Sequence, residues 1–270
     1  MGLLGGGKIA ASPILNENEW DVISAVSTAG KGENYWSVGD RKEVILNGTV
    51  GHLTLSNFTT CAFIIGFNHN SSVEGSGRIH FQLAKTAISG GTDVALCDSK
   101  YNSSVSATGY FSMNSSSTNS GGWESSQMRT NICGTSLMSY SGTIIAVIPA
   151  ALRAVLKSVT KYTNNTGNST AASAVTATTD YFFLLSEYEV FGSRTYANST
   201  EASYQAQYAY YSAGNSKIKY NHSATTTAVF GWLRSTYASL SINFVGVNTS
   251  GTVGTSYANR SYGFAPGFCV

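Results

Sequence analysis

Between Asn68 and His80 five side chains could hold a cation: Asn68, His69, Asn70, Glu74 and His80. Amide and carboxylate oxygens suit calcium, and imidazole nitrogens suit zinc. Their spacing matches no compact ligand pattern, so the first reading is a hydrogen-bonded turn entering a strand at 79–83. His69, Glu74 and His80 remain the metal candidates. His52 and His222 stand alone. Glu187 and Glu189 lie two apart at what reads as the end of an apolar strand, which would put both carboxylates on one face. Such a pair can do acid–base work, and a salt bridge to Arg153 or Arg194 explains it as well. The chain lacks a Gly-x-Ser-x-Gly elbow, a phosphate-binding loop and a dinucleotide fingerprint. Cys61, Cys97, Cys133 and Cys269 are widely spaced with no C-x-x-C, as expected of reduced, partly buried thiols. No enzyme and no cofactor is expected.

A second kind of chemistry, recognition, is written near the end of the chain. Residues 237–262 are mostly Ser, Thr, Gly, Asn, Tyr and Ala, with Arg260. Tyr gives rigid amphipathic contact area, and small polar residues give adaptable hydrogen bonds. The candidate ligand-binding set is Tyr237, Leu240, Asn243, Gly246, Asn248, Thr252, Ser256, Tyr257, Asn259, Arg260 and Tyr262, expected to face solvent. The bland alternative is an ordinary polar loop region. On either side stand candidate frame residues: Trp232 and Arg234 before it, Phe264 and Phe268 after it. Arg234 is expected to bond nearby carbonyls or a carboxylate, and 264, 266 and 268 alternate as in a half-buried strand.

The elements that must position these residues can be read coarsely. Residues 1–18 read as a flexible, Gly-rich arm and 19–270 as one domain. A short helix is expected at 20–24. A strand at 43–46 leads to a tight turn at Asn47-Gly48, and strands follow at 51–57, 61–67 and 79–83. Residues 99–121 and 163–179 read as polar loops. A helix opens at Gly121-Gly-Trp123 and carries Trp123, Met128, Arg129 and Ile132. Another starts at Pro149 with Leu152, Val155 and Leu156 as its apolar stripe. A buried strand is expected at 181–185. The segment 201–211 reads as a helix with Tyr204, Tyr208 and Tyr211 on one face. The fold class is mixed α+β with short strands, two or more helices and long polar loops.

Composition narrows the class. Of 270 residues, 42% are hydrophobic but only 11% charged, with 28 Gly and 3 Pro. The charge deficit, about half the usual share, is filled by Ser, Thr, Asn and Gly, a pattern of display and virion proteins. A net charge of +2 with no basic cluster gives no case for nucleic acid. No run reaches the roughly 18 apolar residues of a membrane span, and the start lacks a secretory signal.

Several phrases in order resemble a family of unknown function common in Firmicutes and their phages. They are Tyr35-Trp-Ser-Val-Gly-Asp40, Gly66-Phe-Asn-His-Asn70, Gly121-Gly-Trp123 with Met128-Arg129, and Leu152-Arg-Ala-Val155. Phe183-Leu-Leu-Ser-Glu-Tyr-Glu-Val-Phe-Gly192, Trp232-Leu-Arg-Ser235 and Gly263-Phe-Ala-Pro-Gly-Phe268 complete the series. The C-terminal half is similar to the C-type-lectin-like fold of formylglycine-generating enzymes and of the variable proteins of diversity-generating retroelements. In those variable proteins, substitution at template adenines changes asparagine codons to many types but never to Lys, Glu, Gln, Met or Trp. Residues 237–262 contain none of these five. Gly231 and Thr236 depart from the family's usual residues around the Trp-Leu-Arg-Ser phrase. The cysteine pair of the formylglycine-generating enzymes is absent there, with Cys269 alone.

The resemblance and composition together imply a non-enzymatic binding protein on a phage virion surface or tail, made in the bacterial cytoplasm. Its expected partner is a host-surface protein or glycan receptor, with other virion subunits held through 1–18 and a homo-oligomer giving avidity. Nucleic acid and membrane insertion are not expected. Alternatives are a structural decoration protein without a specific ligand, and a carbohydrate-active enzyme with an unrecognised site.

Overall fold

Alternation of buried Lys42, Val44 and Leu46 with the exposed Glu43, Ile45 and Asn47 places one face of the strand β1 (Arg41–Val50) against the core. The computed structural model describes residues 10–103 and 110–270. The other strands are β2 (Leu53–Phe67), β3 (Ile79–Lys85), β4 (Val94–Ala95), β5 (Val159–Asn164), β6 (Val175–Asp180) and β7 (Phe182–Phe183). They are followed by β8 (Lys219–Asn221), β9 (Ala224–Val229), β10 (Gly231–Thr236), β11 (Asn243–Val247), β12 (Val253–Tyr257) and β13 (Gly267–Cys269).

The main sheet is five-stranded in the order β1-β2-β3-β13-β7, and its neighbours pair antiparallel. Two three-stranded sheets, β10-β11-β12 and β4-β8-β9, and the hairpin β5-β6 complete a mixed α+β architecture. β13 sits between β3 and β7, so Phe268 faces Phe81 on one side and Phe182 on the other. Phe81 and Phe268 stack at 5.3 Å, and the Trp20 ring meets both edge-on at 5.6 and 6.2 Å. Trp20 opens the helix Trp20–Thr28, which thereby docks on the main sheet. One apolar cluster runs from Leu15 to Val270.

Several expectations are corrected. Asn47-Gly48 is a bulge: Leu46 pairs with Phe58 and Gly48 with Leu55, so Ser56 and Asn57 together oppose Asn47. Asn57 adopts φ 47° and donates its N–H to the Asn47 Oδ1. The turn falls after Val50, at Gly51-His52, and the two expected strands are the single β2. The polar stretch 163–179 supplies the last two residues of β5 and all but the last residue of β6; the two Thr-rich strands pair in register from Val159↔Asp180 to Asn164↔Val175. Residues 201–211 are no single helix, because the 3-10 turn Ser199–Ser203 and the helix Ala209–Ser212 are separated by extended chain. The helix expected from Gly121 splits into Gly122–Ser125 and a wide π-type turn Met128–Cys133, with Trp123, Met128 and Ile132 buried throughout. Only Ala150–Arg153 is helical after Pro149. The strand expected at 181–185 shortens to β7, and 264–268 is buried on both parities rather than half-buried.

Residues 1–9 of the expected arm lie outside the described residues, as do 104–109 of the expected 99–121 loop. From Ala11, which packs against the core, the chain is anchored. Leu15 is buried, the Asn18 amide bonds Ser12 and Ile14, and the Trp36 Nε1 donates to the Ser12 carbonyl at 3.1 Å. Residues 11–18 therefore pack with the rest of the fold. All four cysteines are free and buried. Among the described residues no helix is long and apolar enough to cross a membrane.

Candidate functional site

Among the described residues, two places bring candidate side chains together, and they differ in access to solvent. The first is a buried ion network. β5 alternates Val159, Lys161 and Thr163 inward, which delivers the Lys161 ammonium to the interior. Its Nζ donates to Glu74 Oε2 at 2.7 Å, Glu189 Oε1 at 2.9 Å and the Tyr208 hydroxyl at 2.9 Å. Arg234, carried inward on the fully buried β10, donates to both Glu189 oxygens at 2.5 and 2.9 Å and to the Leu184 carbonyl at 2.9 Å. Glu189 is fixed by a capping box on the helix Glu187–Phe191: the Ser186 hydroxyl accepts its N–H, and its carboxylate accepts the Ser186 N–H.

The helical turn separates Glu187 from Glu189, so they do not form a carboxylate pair. Glu187 instead accepts the backbone N–H groups of Thr195, Tyr196 and Ala197. Arg153 and Arg194 donate to backbone carbonyls, not to either glutamate.

His69, Glu74 and His80 do converge, with His69 and His80 nitrogens 3.8 and 3.7 Å from Glu74. Together with Glu189, the His69 and Glu74 ligand atoms lie within 4.8 Å of one another. The Lys161 ammonium already bridges the two carboxylates, so a metal ion would have to displace it. Burial, reinforced by Lys161, depresses His69 to about 3 and His80 well below its usual value. Burial lifts Glu74 to about 7 against the pull of Lys161. For Glu189 burial acts the same way, but the Arg234 and Lys161 charges prevail and hold it well below the ordinary carboxylate range. Cys269 Sγ lies 3.3 Å from His80 Nδ1, an arrangement seen in nucleophilic dyads. Both side chains are fully enclosed and burial raises the thiol far above its usual value, so neither can attack a substrate.

The second place is open. The antiparallel pair β11-β12 sets Asn243 opposite Tyr257, and the turn after β12 returns Arg260 and Tyr262 to the same end. Asn243, Thr255, Ser256, Tyr257, Arg260 and Tyr262 line a cavity of about 370 Å³, within the range of small-ligand sites. Tyr257 is 45% exposed, and the Arg260 guanidinium lies 5.8 Å from its ring centroid. Among the described residues Arg260 has no ion pair and its side chain makes no hydrogen bond. Asn243 is 7% exposed; its Nδ2 donates to Thr255 Oγ1 at 3.1 Å, and its Oδ1 has no partner.

Five residues of the expected binding set thus meet at one cavity, and Thr255, which sequence reasoning missed, joins them. Asn243 was expected to face solvent and is instead a buried floor residue of β11. Gly246 is buried, and a Cβ there would strike the Phe230 ring. Asn248 and Thr252 close the turn at the far end of the hairpin, four residue pairs from Asn243↔Tyr257. Leu240 is 44% exposed on a neighbouring turn, Tyr237 packs edge-on against Tyr196, and neither lines the cavity. Asn259 is half-buried outside it. Tyr262 also touches the Phe230, Trp232 and Tyr101 rings, which makes it part frame. Trp232, Arg234, Phe264 and Phe268 are buried.

Asn119 holds the surface from behind. Its Nδ2 donates to the carbonyls of Tyr237, Leu240 and Asn243 at 3.2, 2.7 and 2.9 Å. A second brace reaches the same region: Glu187 accepts the N–H groups of 195–197, and the Tyr196 carbonyl accepts the Ala238 N–H at 3.0 Å.

Fold and site together define a mixed α+β domain with an enclosed ion network and an open polar cavity at its C-terminal sheet. The chain belongs to the family described as Domain of unknown function (DUF6273), matched over residues 99–270. The matched part contains the cavity and, from the network, Lys161, Glu189, Tyr208 and Arg234. Comparison with curated proteins and with solved structures returns no match.

Proposed function

We propose that this protein is a non-enzymatic display protein of C-type-lectin-like architecture, carried on a virion surface or tail, that binds a host-surface receptor through its C-terminal cavity. One observation carries the reading: six side chains from 243–262 surround one open cavity, while Asn119 holds the Asn243 carbonyl from behind and β11 is paired on both sides, with β10 and β12. A rigid support with an exposed Tyr and a half-buried Arg is what a binding surface needs, since these residue types dominate contact energetics. The 237–262 composition, free of Lys, Glu, Gln, Met and Trp, supports a surface open to diversification. Copies arranged in an oligomer would strengthen weak individual contacts by avidity.

The test is the pair Tyr257→Ala and Arg260→Ala in one chain. Capture of host cells should fall at least tenfold, while Tm moves by less than about 2 °C because exposed changes rarely exceed about 0.5 kcal/mol. Unchanged capture with intact folding would remove the cavity from the mechanism and favour a decoration role.

A further inference from the structure

We infer that the cavity takes a saccharide unit bearing an anionic group, a carboxylate or a phosphate; this rests on the display reading above and names the ligand class of that same site. Among the described residues the Asn243 Oδ1 is a buried acceptor with no donor, on a side chain that lines the cavity. Leaving such an atom unpaired is costly, and because it is covered, a ligand hydroxyl donates to it once the amide turns toward the cavity. At the rim, the Arg260 guanidinium has no carboxylate partner among the described residues and lies 5.8 Å from the Tyr257 ring centroid. A planar guanidinium in that state matches an oxyanion with two parallel hydrogen bonds. Thr255, Ser256 and Tyr262 supply hydroxyls, with Ser256 Oγ donating to the Tyr262 hydroxyl at 3.2 Å.

The lining contains no aliphatic side chain. An apolar peptide anchor would find only the edges of a polar, partly open lining and two tyrosine rings there, whereas protein hot-spot pockets are built on fully desolvated apolar contacts. A polyhydroxylated ring exchanges hydrogen bonds with the hydroxyls and amide, and its C–H face can lie on a tyrosine. One donor to Asn243 and one anion to Arg260 then fix its orientation.

The intact chain is applied to immobilised hyaluronan and polygalacturonate oligosaccharides, a polyol-phosphate glycan, and neutral chitin, cellulose and maltose oligomers. Acidic members should be retained over neutral ones, and inorganic phosphate alone at equal concentration should not displace them. Arg260→Gln should lower affinity for the retained acidic member at least tenfold, with a smaller loss for Arg260→Lys. Asn243→Ala should weaken binding, and Asn243→Ser serves if that variant fails to fold. Retention of no saccharide, equal retention of neutral members, displacement by phosphate alone, or an unaffected Arg260→Gln would each overturn the inference. Host cells separate the two failures. Capture that survives periodate but not protease means a protein receptor, so the display reading stands and the saccharide is wrong. Capture that ignores the Tyr257 and Arg260 changes defeats both.

Discussion

Lys161 and Glu189 show how a few enclosed charges can organise a domain with little charge overall. Each carries two opposite charges as partners, and removing one strands the other in the interior. Glu189→Gln or Lys161→Met should therefore cost about 3–5 kcal/mol, read as a shift in the urea midpoint. A shift below about 1 kcal/mol would mean that water reaches the cluster. The network also sets a pH dependence. Below pH 6.5 the unfolded chain protonates His69 and His80, while the folded chain leaves both neutral. Glu74 opposes this, since its folded carboxyl keeps a proton up to about 7 that the unfolded chain releases above 4.5. Between these limits the unfolded chain binds about one more proton from the three groups, so stability falls toward acid by roughly 1 kcal/mol per pH unit. Below 4.5 that opposition ends and Glu189, whose folded value is depressed, adds to the loss. His69→Gln should flatten the slope between pH 4.5 and 6.5; an unchanged slope would assign it to other groups.

Among the elements, Gly122 is the tightest joint. It has φ 54°, and a Cβ would overlap the Asn164 carbonyl oxygen at the end of β5. Gly122→Ala should lower Tm by many degrees, whereas Gly90→Ala, also at positive φ but in open space, should cost far less. Equal effects would locate the cost in backbone conformation alone. How legible the elements were depended on the same local physics. The helix from Trp20 and the alternation of β1 could be read because apolar period and structure agree. The β5-β6 hairpin could not, because its Thr-rich strands carry the composition of a loop; the inward Lys161 between Val159 and Thr163 was the one clue. Ser186 and Glu189 spelled a capping box, so the helix at 187–191 was available in the sequence but masked by the apolar run before it. At 201–211 the tyrosine spacing mimicked a helix. In the structure Tyr204 stacks on Tyr162 at 4.2 Å while Tyr208 enters the ion network, so the two serve different neighbours. The cavity was legible in kind, since Tyr257 and Arg260 were expected on the surface. Its floor was not, because nothing local distinguishes the buried Asn243 from an exposed asparagine.

For the molecule as a whole, the attachment role expected of the N-terminal segment must be tested on residues 1–9. Deleting through Asn18 would also strip Leu15 and the contacts to Trp36 from the core. At the other end, deleting 267–270 should abolish cooperative unfolding, because β3 and β7 are joined only through β13. A truncated chain that still melts cooperatively near the full-length Tm would show that the sheet tolerates an empty centre. Placement of β13 has one more consequence. A ribosome makes these residues after every strand they must join, so β3 and β7 leave it with unfilled edges facing each other. The growing chain has to hold a slot open until the wedge arrives, and crowded nascent copies could fill that slot with each other's edges. Yield in a cell should then respond to synthesis rate and temperature more steeply than the finished protein's Tm would suggest.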